Sequence, residues 1–260
     1  MPILQFPDPR RAGPEGLVAL GGDLHPESLL LAYRNGIFPW PVEGYPLAWF
    51  SPGKRGILEF SRLHVPRRLA RTRRGSGLRF TVDAAFGQVI RHCATVPRSR
   101  PTTLGLGAAD EALADKHAES IPAETDDEDS VTSDGTAGET ASPTWITPGI
   151  VEAYEAFHEC GFAHSVEAWN GDRLVGGLYG VCIDGFFAGE SMFHLEPNAS
   201  KLALLELVDR LSAAGATWMD IQMVTPHMEA LGAREITRNA FLKKLAETRE
   251  LGLDLATAFR

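Results

Sequence analysis

Phe186-Phe187-Ala188-Gly189-Glu190-Ser191-Met192-Phe193 leads, through an apolar helix, into Trp218-Met219-Asp220-Ile221-Gln222-Met223-Val224. Asp184-Gly185 just before it carries the signature of a type I′ turn, so the aromatic run Phe186 to Phe193 reads as a strand with a hairpin partner upstream. Beyond Pro197, Asn198 can cap a helix from about Ala199 to Leu211, in which Leu204, Leu207, Val208 and Leu211 recur on one face. Ala213-Ala214-Gly215 ends that helix. Trp218 to Val224 then reads as a buried strand, and a period of two puts Asp220 and Gln222 on the same side of it. A carboxylate beside a carboxamide on an apolar strand has two readings: the pair satisfies itself and nearby backbone groups, or it does chemistry.

Upstream, Ser165 to Trp169, an Asn170-Gly171 turn and Leu174 to Val181 complete a three-stranded meander with the Glu190 strand. Thr147 caps a helix that begins at Pro148, runs through Ala153 to Glu159 and stops at Cys160-Gly161. Meander, helix, strand is the order of an acetyltransferase-like (GNAT-like) core. The fold class is therefore α+β, with a larger acetyltransferase-like α/β domain over residues 54–260 and a helix from Asn239 to Glu247 on its outside. Residues 1–53 read as a small N-terminal domain. In it, Gly21-Gly22-Asp23 makes a turn, Pro26 to Tyr33 a short helix, and Gly36-Ile37-Phe38-Pro39-Trp40-Pro41 a rigid aromatic loop. Phe38 and Trp49 are expected in the core. Trp40, between two prolines, is harder to cover, and an indole on a stiff loop suits stacking on a purine.

A chain of 260 residues with 44% apolar content can bury a sizeable core. It has no secretory pattern at its N-terminus and no apolar run long enough to span a bilayer, so a cytoplasmic protein with no membrane partner is expected. Cys93, Cys160 and Cys182 lack the spacing of a disulfide frame or a zinc site, and no metal or cofactor is implied. The net charge of −9 is concentrated. Between Asp110 and Glu139 stand eleven acidic residues against Lys116 alone, which accounts for the whole excess. The surrounding segment, about 99–143, is rich in Ala, Thr, Ser, Gly and acid and reads as a disordered insertion, either a dispensable solvated loop or an acidic arm competing with nucleic acid.

The basic residues have their own centre. Arg67, Arg68, Arg71, Arg73 and Arg74 follow Pro66, with Lys54, Arg55 and Arg62 before them and Arg79, Arg91, Arg98 and Arg100 after. On a helix, Arg67, Arg71 and Arg74 share a face, either as solvated surface or as a row suited to phosphate oxygens.

Gly189-Glu190-Ser191-Met192-Phe193, Asn198-Ala199-Ser200-Lys201, Asp220-Ile221-Gln222, His227 and Leu231-Gly232-Ala233 resemble, in that order, the leucyl/phenylalanyl-tRNA–protein transferase family. So do Gly16 to Leu24, Tyr33 to Trp40, Phe86 to Ile90 and Trp145-Ile146-Thr147, so the likeness covers nearly the whole chain. The family joins the flanks of the acidic segment by a short loop, which makes that segment the largest departure. Many of its members carry a basic residue where this chain has Pro148. The resemblance implies an enzyme that moves Leu or Phe, with Met as a further donor, from aminoacyl-tRNA to the N-terminal amine of proteins beginning with Arg or Lys, marking them for N-end rule degradation. It implies no DNA partner and no nucleotide hydrolysis, in keeping with the lack of a Walker loop or a GxGxxG fingerprint.

The expected catalytic residues are Asp220, Gln222 and Glu190. Asp220 is expected to accept a hydrogen bond from the Gln222 amide nitrogen, aiming the Gln222 oxygen at the attacking amine, while Glu190 pairs with the cationic acceptor. Tyr33 and Trp40, with Trp145 and Tyr154 closing the other side, are expected to hold the terminal adenosine. Leu178, Phe187, Met192, Leu204, Leu207, Leu211 and Met219 are either plain core or an apolar pocket for the transferred side chain. The arginines from Arg67 to Arg74 would contact tRNA phosphates without reading bases. His158 and His164 read as structural, and His227 lies inside a resembled motif. An acyl-CoA-dependent N-acyltransferase and a non-catalytic RNA-binding protein are the alternatives. The first needs a diphosphate cradle that Glu196-Pro197-Asn198 makes poorly, and the second leaves Glu190, Asp220 and Gln222 unexplained.

Overall fold

The computed structural model of the chain describes residues 1–42, 44–96 and 144–260, a mixed α/β fold. The acidic segment predicted at about 99–143 lies outside the described residues.

A three-stranded antiparallel sheet is formed by β1 (Leu17–Leu20), β2 (Phe38–Pro39) and β3 (Ala48–Phe50), with β3 in the middle. Helix α1 (Pro26–Arg34) precedes β2, and Phe38, Trp49 and Phe50 are buried. The larger sheet holds β4 (Lys54–Glu59), β5 (Arg79–Val82), β6 (Ala163–Asn170), β7 (Arg173–Ile183), β8 (Phe186–His194), β9 (Trp218–Gln222) and β10 (Arg234–Thr237). Their order across it is β10, β4, β9, β8, β7, β6, β5. Every neighbouring pair is antiparallel except β8 and β9. That exception follows from α5 (Ala199–Ala213), which carries the chain back along the sheet between them.

The meander β6, β7, β8 turns as its sequence requires. Asp184 and Gly185 take φ of +47° and +83°, both positive as a type I′ turn demands. At the other hairpin the turn residues are Gly171-Asp172, one place later than expected, because Asn170 still pairs with Arg173 and only Gly171 has positive φ. Helix α5 packs on β6, β7 and β8. Nine of its residues are buried, among them every leucine, while Lys201, Glu206, Asp209 and Arg210 keep exposed surface on the remaining side. Truncating Leu207 to Ala there costs about 2–5 kcal/mol. Asn198 starts this helix with φ +66° and no side-chain cap, where a capping side chain was expected.

The opposite side of the sheet carries α3 (Phe86–Thr95) and α4 (Pro148–Glu159): Tyr179 of β7 meets Phe86 and Tyr154 edge-on there, while its neighbour Leu178 joins the α5 cluster. Thr147 caps α4 as predicted, its hydroxyl accepting from the Ile150 N–H. Helix α2 (Arg67–Gly75) lies against the α5 side through Leu69. After β9 come α6 (Pro226–Ala230) and then α7 (Arg238–Glu250), longer at both ends than the predicted helix. No helix among the described residues is long and apolar enough to cross a membrane.

Candidate active site

Glu190 owes its position to an irregularity in β8. Tyr179 of β7 pairs with Ser191 and Gly180 with Gly189, so Glu190 is the extra residue of a β-bulge between them. A bulge re-aims one side chain out of the strand's alternation, and here it turns Glu190 towards the α1 and α4 side. Glycine sits on both sides of the ladder at that point. A Cβ on Gly180 would lie 2.4 Å from the Phe187 ring, and one on Gly189 would lie 2.9 Å from Cε of Met219.

The carboxyl of Glu190 is enclosed although the residue keeps some exposed surface. Its Oε1 accepts two bonds, from the Tyr33 hydroxyl at 2.7 Å and from Nε2 of Gln222 at 2.9 Å. Tyr33 has one hydroxyl hydrogen and gives it to Glu190, so the Tyr154 hydroxyl, which contacts that of Tyr33, must be the donor to it. Desolvation pushes the Glu190 carboxyl up to about 8 from its ordinary 4.5. The Asp220 charge pushes the same way, while the Tyr33 bond, the Arg55 charge and the Gln222 bond oppose it. Burial and the Glu190 charge hold the Tyr33 and Tyr154 phenols well above 10, so both stay protonated. Because both bonds fall on Oε1, Oε2 is the oxygen left to gain or lose a proton.

Asp220 does not bond the Gln222 side chain. Its carboxylate is fully buried and takes a two-pronged ion pair from Arg55, Nε to Oδ1 at 2.9 Å and Nη2 to Oδ2 at 2.7 Å. Its remaining bond is to the backbone: Oδ1 accepts from the Gln222 N–H at 3.0 Å. Arg55, grouped by the sequence with the basic surface, is 1% exposed. A carboxylate this deep requires a cation beside it, so Asp220 alone was a signal that some Arg or Lys must be buried too. It could not say which.

The other expected site residues divide. The rings of Tyr33 and Tyr154 are buried, so they support Glu190 instead of offering a face to an adenine. Trp40 and Trp145 are partly exposed and stack on each other, centroids 5.1 Å apart at 16°, which leaves no ring-thick slot between them. Leu178, Phe187, Leu204, Leu207, Leu211 and Met219 are all buried in the α5 cluster, and Met192 packs partly buried at its edge. On α2, Arg67, Arg68, Arg71 and Arg74 are exposed, but Arg73 is ion-paired with Asp209 of α5. At the start of α5, Glu196 holds Asn170 and Arg173, which places a carboxylate where a diphosphate cradle would need donors. His164 bonds Asp83 at 2.7 Å and His158 bonds the Ala163 carbonyl at 2.7 Å. Burial, then Lys201 and His194, hold the His227 imidazole below its ordinary 6.5.

Known proteins resemble this chain over most of its length. Residues 115–246 match the family described as leucyl/phenylalanyl-tRNA protein transferase, and residues 22–53 match its N-terminal domain. The chain is 43% identical over 245 residues to the leucyl/phenylalanyl-tRNA–protein transferase of Anaeromyxobacter dehalogenans, covering 94% of this chain and 88% of that one. It is 43% identical over 237 residues to that of Nitratidesulfovibrio vulgaris, covering 91% and 84%. With the protein of the same name from Tolumonas auensis it shares 41% over 249 residues, covering 95% and 89%. The chain belongs to the leucyl/phenylalanyl-tRNA–protein transferase family.

Proposed function

We propose that the chain is a cytoplasmic aminoacyltransferase that moves leucine or phenylalanine from the 3′ end of its tRNA to the N-terminal amine of proteins beginning with Arg or Lys, marking them for N-end rule degradation. The observation that carries this reading, beside the family, is the convergence of Tyr33 and Gln222 on an enclosed Glu190 carboxyl whose burial raises its affinity for a proton. When the acceptor's ammonium docks against the ionised form of Glu190, a proton passes from nitrogen to Oε2, which replaces two buried charges by two neutral groups. The freed amine attacks the ester carbonyl, held by the oxygen of the Gln222 carboxamide. A C–N bond forms, the bond to the ribose oxygen breaks, and that oxygen takes up the second proton, which the nitrogen sheds on becoming an amide. The ester is already activated, so orientation supplies most of the acceleration, on the order of 7–11 kcal/mol.

In this reading residues 1–53 form a small N-terminal domain that presents Trp40, and the remainder is an acetyltransferase-like catalytic domain. The terminal adenine stacks on the outer face of the Trp40–Trp145 pair, and the acyl side chain enters the cluster beside Met192 by displacing Met219 from Gly189. Such a pocket excludes β-branched side chains by shape. Arg67, Arg68, Arg71 and Arg74 hold tRNA phosphates. The test is transfer of radiolabelled leucine from charged tRNA to a peptide beginning with Arg, beside one beginning with Glu. Label on the first alone is expected. No label on either, with charged tRNA still bound, would overturn the assignment.

A further inference from the structure

We infer that Arg55 is a positioning residue for the transfer reaction, acting through the Asp220 carboxylate on the backbone of Gln222 and thereby delivering the Gln222 carboxamide to Glu190. The inference rests on the reading of Glu190 and Gln222 as the reaction centre.

Gln222 has φ +53°, a conformation non-glycine residues seldom adopt and one that ends β9. The N–H of Met223 bonds the carbonyl of Ile221 across it at 2.6 Å, closing a three-residue turn of the strained γ type. Something must hold that turn. Asp220 does so by accepting the Gln222 N–H, and Arg55 fixes Asp220 through both carboxylate oxygens, an arrangement with little rotational freedom left. The next residue of β4 makes the space: a Cβ on Gly56 would stand 2.8 Å from the Met223 carbonyl carbon and 2.9 Å from the Val224 nitrogen. The register between β4 and β9 also shifts there, with Gly56 opposite Gln222 and Ile57 opposite Asp220.

The same guanidinium is held from the donor side. Its carbon lies 4.7 Å from the Phe38 ring centroid and 4.4 Å from that of Phe241, and Nη1 donates to the Gly36 carbonyl at 3.3 Å. Gly36 and Phe38 belong to the segment, including β2, that ends at Trp40. One buried side chain thus ties that segment to the residue that handles the attacking amine. A small displacement of the Gln222 carboxamide is sufficient to slow the reaction, since a misplacement of about 1 Å costs on the order of 100-fold.

Two variants test this. Arg55→Lys keeps the charge but loses the fork. Arg55→Met with Asp220→Leu replaces the ion pair by apolar groups of similar bulk, a change that buried pairs often tolerate, while removing the acceptor for the Gln222 N–H. Folded fraction is measured by thermal unfolding, and kcat and KM for the Arg-peptide are measured per folded enzyme. Both variants are expected to lose on the order of 100-fold in kcat with peptide KM and charged-tRNA affinity changed less than about threefold. A purely structural Arg55 would change the folded fraction and leave kcat per folded enzyme alone. Wild-type kcat in either folded variant overturns the inference. Absence of transfer by the wild-type protein overturns the functional reading, and this inference with it, so the two failures are told apart.

Discussion

Arg55 and the arginines of α2 stand close in the chain and are chemically identical, yet their surroundings have nothing in common. Strand β4 exposes Lys54 at its start and is buried from Arg55 to Leu58, with Arg55 between two aromatic rings and on a buried carboxylate. Helix α2 buries Leu69 alone and leaves Arg67, Arg68, Arg71 and Arg74 in water. The first environment needs its charge to satisfy another charge, and the second has charge to offer a partner. Arg238 shows a third use. It is largely buried and donates to the carbonyls of Pro9, Ala12, Gly13 and Pro52, stitching the N-terminal segment to the start of α7. A count of arginines cannot separate these roles. The direction in which the backbone points them can.

The largest effects belong to the enclosed region. Glu190→Gln is expected to lower kcat by about 100-fold or more, the usual range for removing a group that moves a proton, with charged-tRNA affinity unchanged. An unaltered rate would leave the carboxyl without a role. Glu190 also makes stability depend on pH. Its carboxyl is raised in the fold from 4.5 to about 8, so between those values the native state binds the extra proton and stability falls as pH rises, by at most about 1.4 kcal/mol per pH unit. Denaturant unfolding at several pH values should show that slope for the wild type and lose it in Glu190→Gln. Next comes Arg238→Met, which strands several carbonyls at once. A loss of about 3 kcal/mol in unfolding free energy is expected, and one under about 1 kcal/mol would mean that water replaces the guanidinium.

Local signals in the sequence were read correctly where a single rule governs. The two positive φ values at Asp184-Gly185, the Thr147 cap before Pro148, and the leucine face of α5 all follow from residue type and spacing. The site was harder because its geometry departs from those rules at two points. A strict period of two put Asp220 and Gln222 in partnership, but the left-handed turn at Gln222 sends its side chain to Glu190, and the bulge at Glu190 turns that residue to meet it. Gly189 beside Glu190 was the one local hint of the bulge. Arg55 and Asp220 are 165 residues apart in the chain, and Tyr33 and Glu190 157, so their pairing exists only once the sheet has assembled. Tyr33 and Tyr154 were expected against an adenine, but their rings are buried and the Tyr33 hydroxyl bonds Glu190, a use of an aromatic residue that sequence does not separate from stacking.

The smallest effects divide α2 itself. Changing Arg67, Arg71 and Arg74 together to Ala should weaken tRNA binding and reduce the slope of log affinity against log salt by about 2 to 3, close to one for each phosphate that no longer has a guanidinium beside it. An unchanged slope would make them solvated surface. Arg73→Ala is expected to do almost nothing to that slope, although Arg73 lies among them in sequence. Its guanidinium is engaged with Asp209, and because both side chains retain much of their exposure the pair contributes no more than about 1 kcal/mol to stability. Removing Arg73 also frees the Asp209 carboxylate, a charge that repels phosphate and so works against binding. A drop in affinity for Arg73→Ala as large as for its neighbours would mean that tRNA pulls Arg73 off Asp209. The contrast between an arginine with a partner and an arginine awaiting one would then hold only in the free protein.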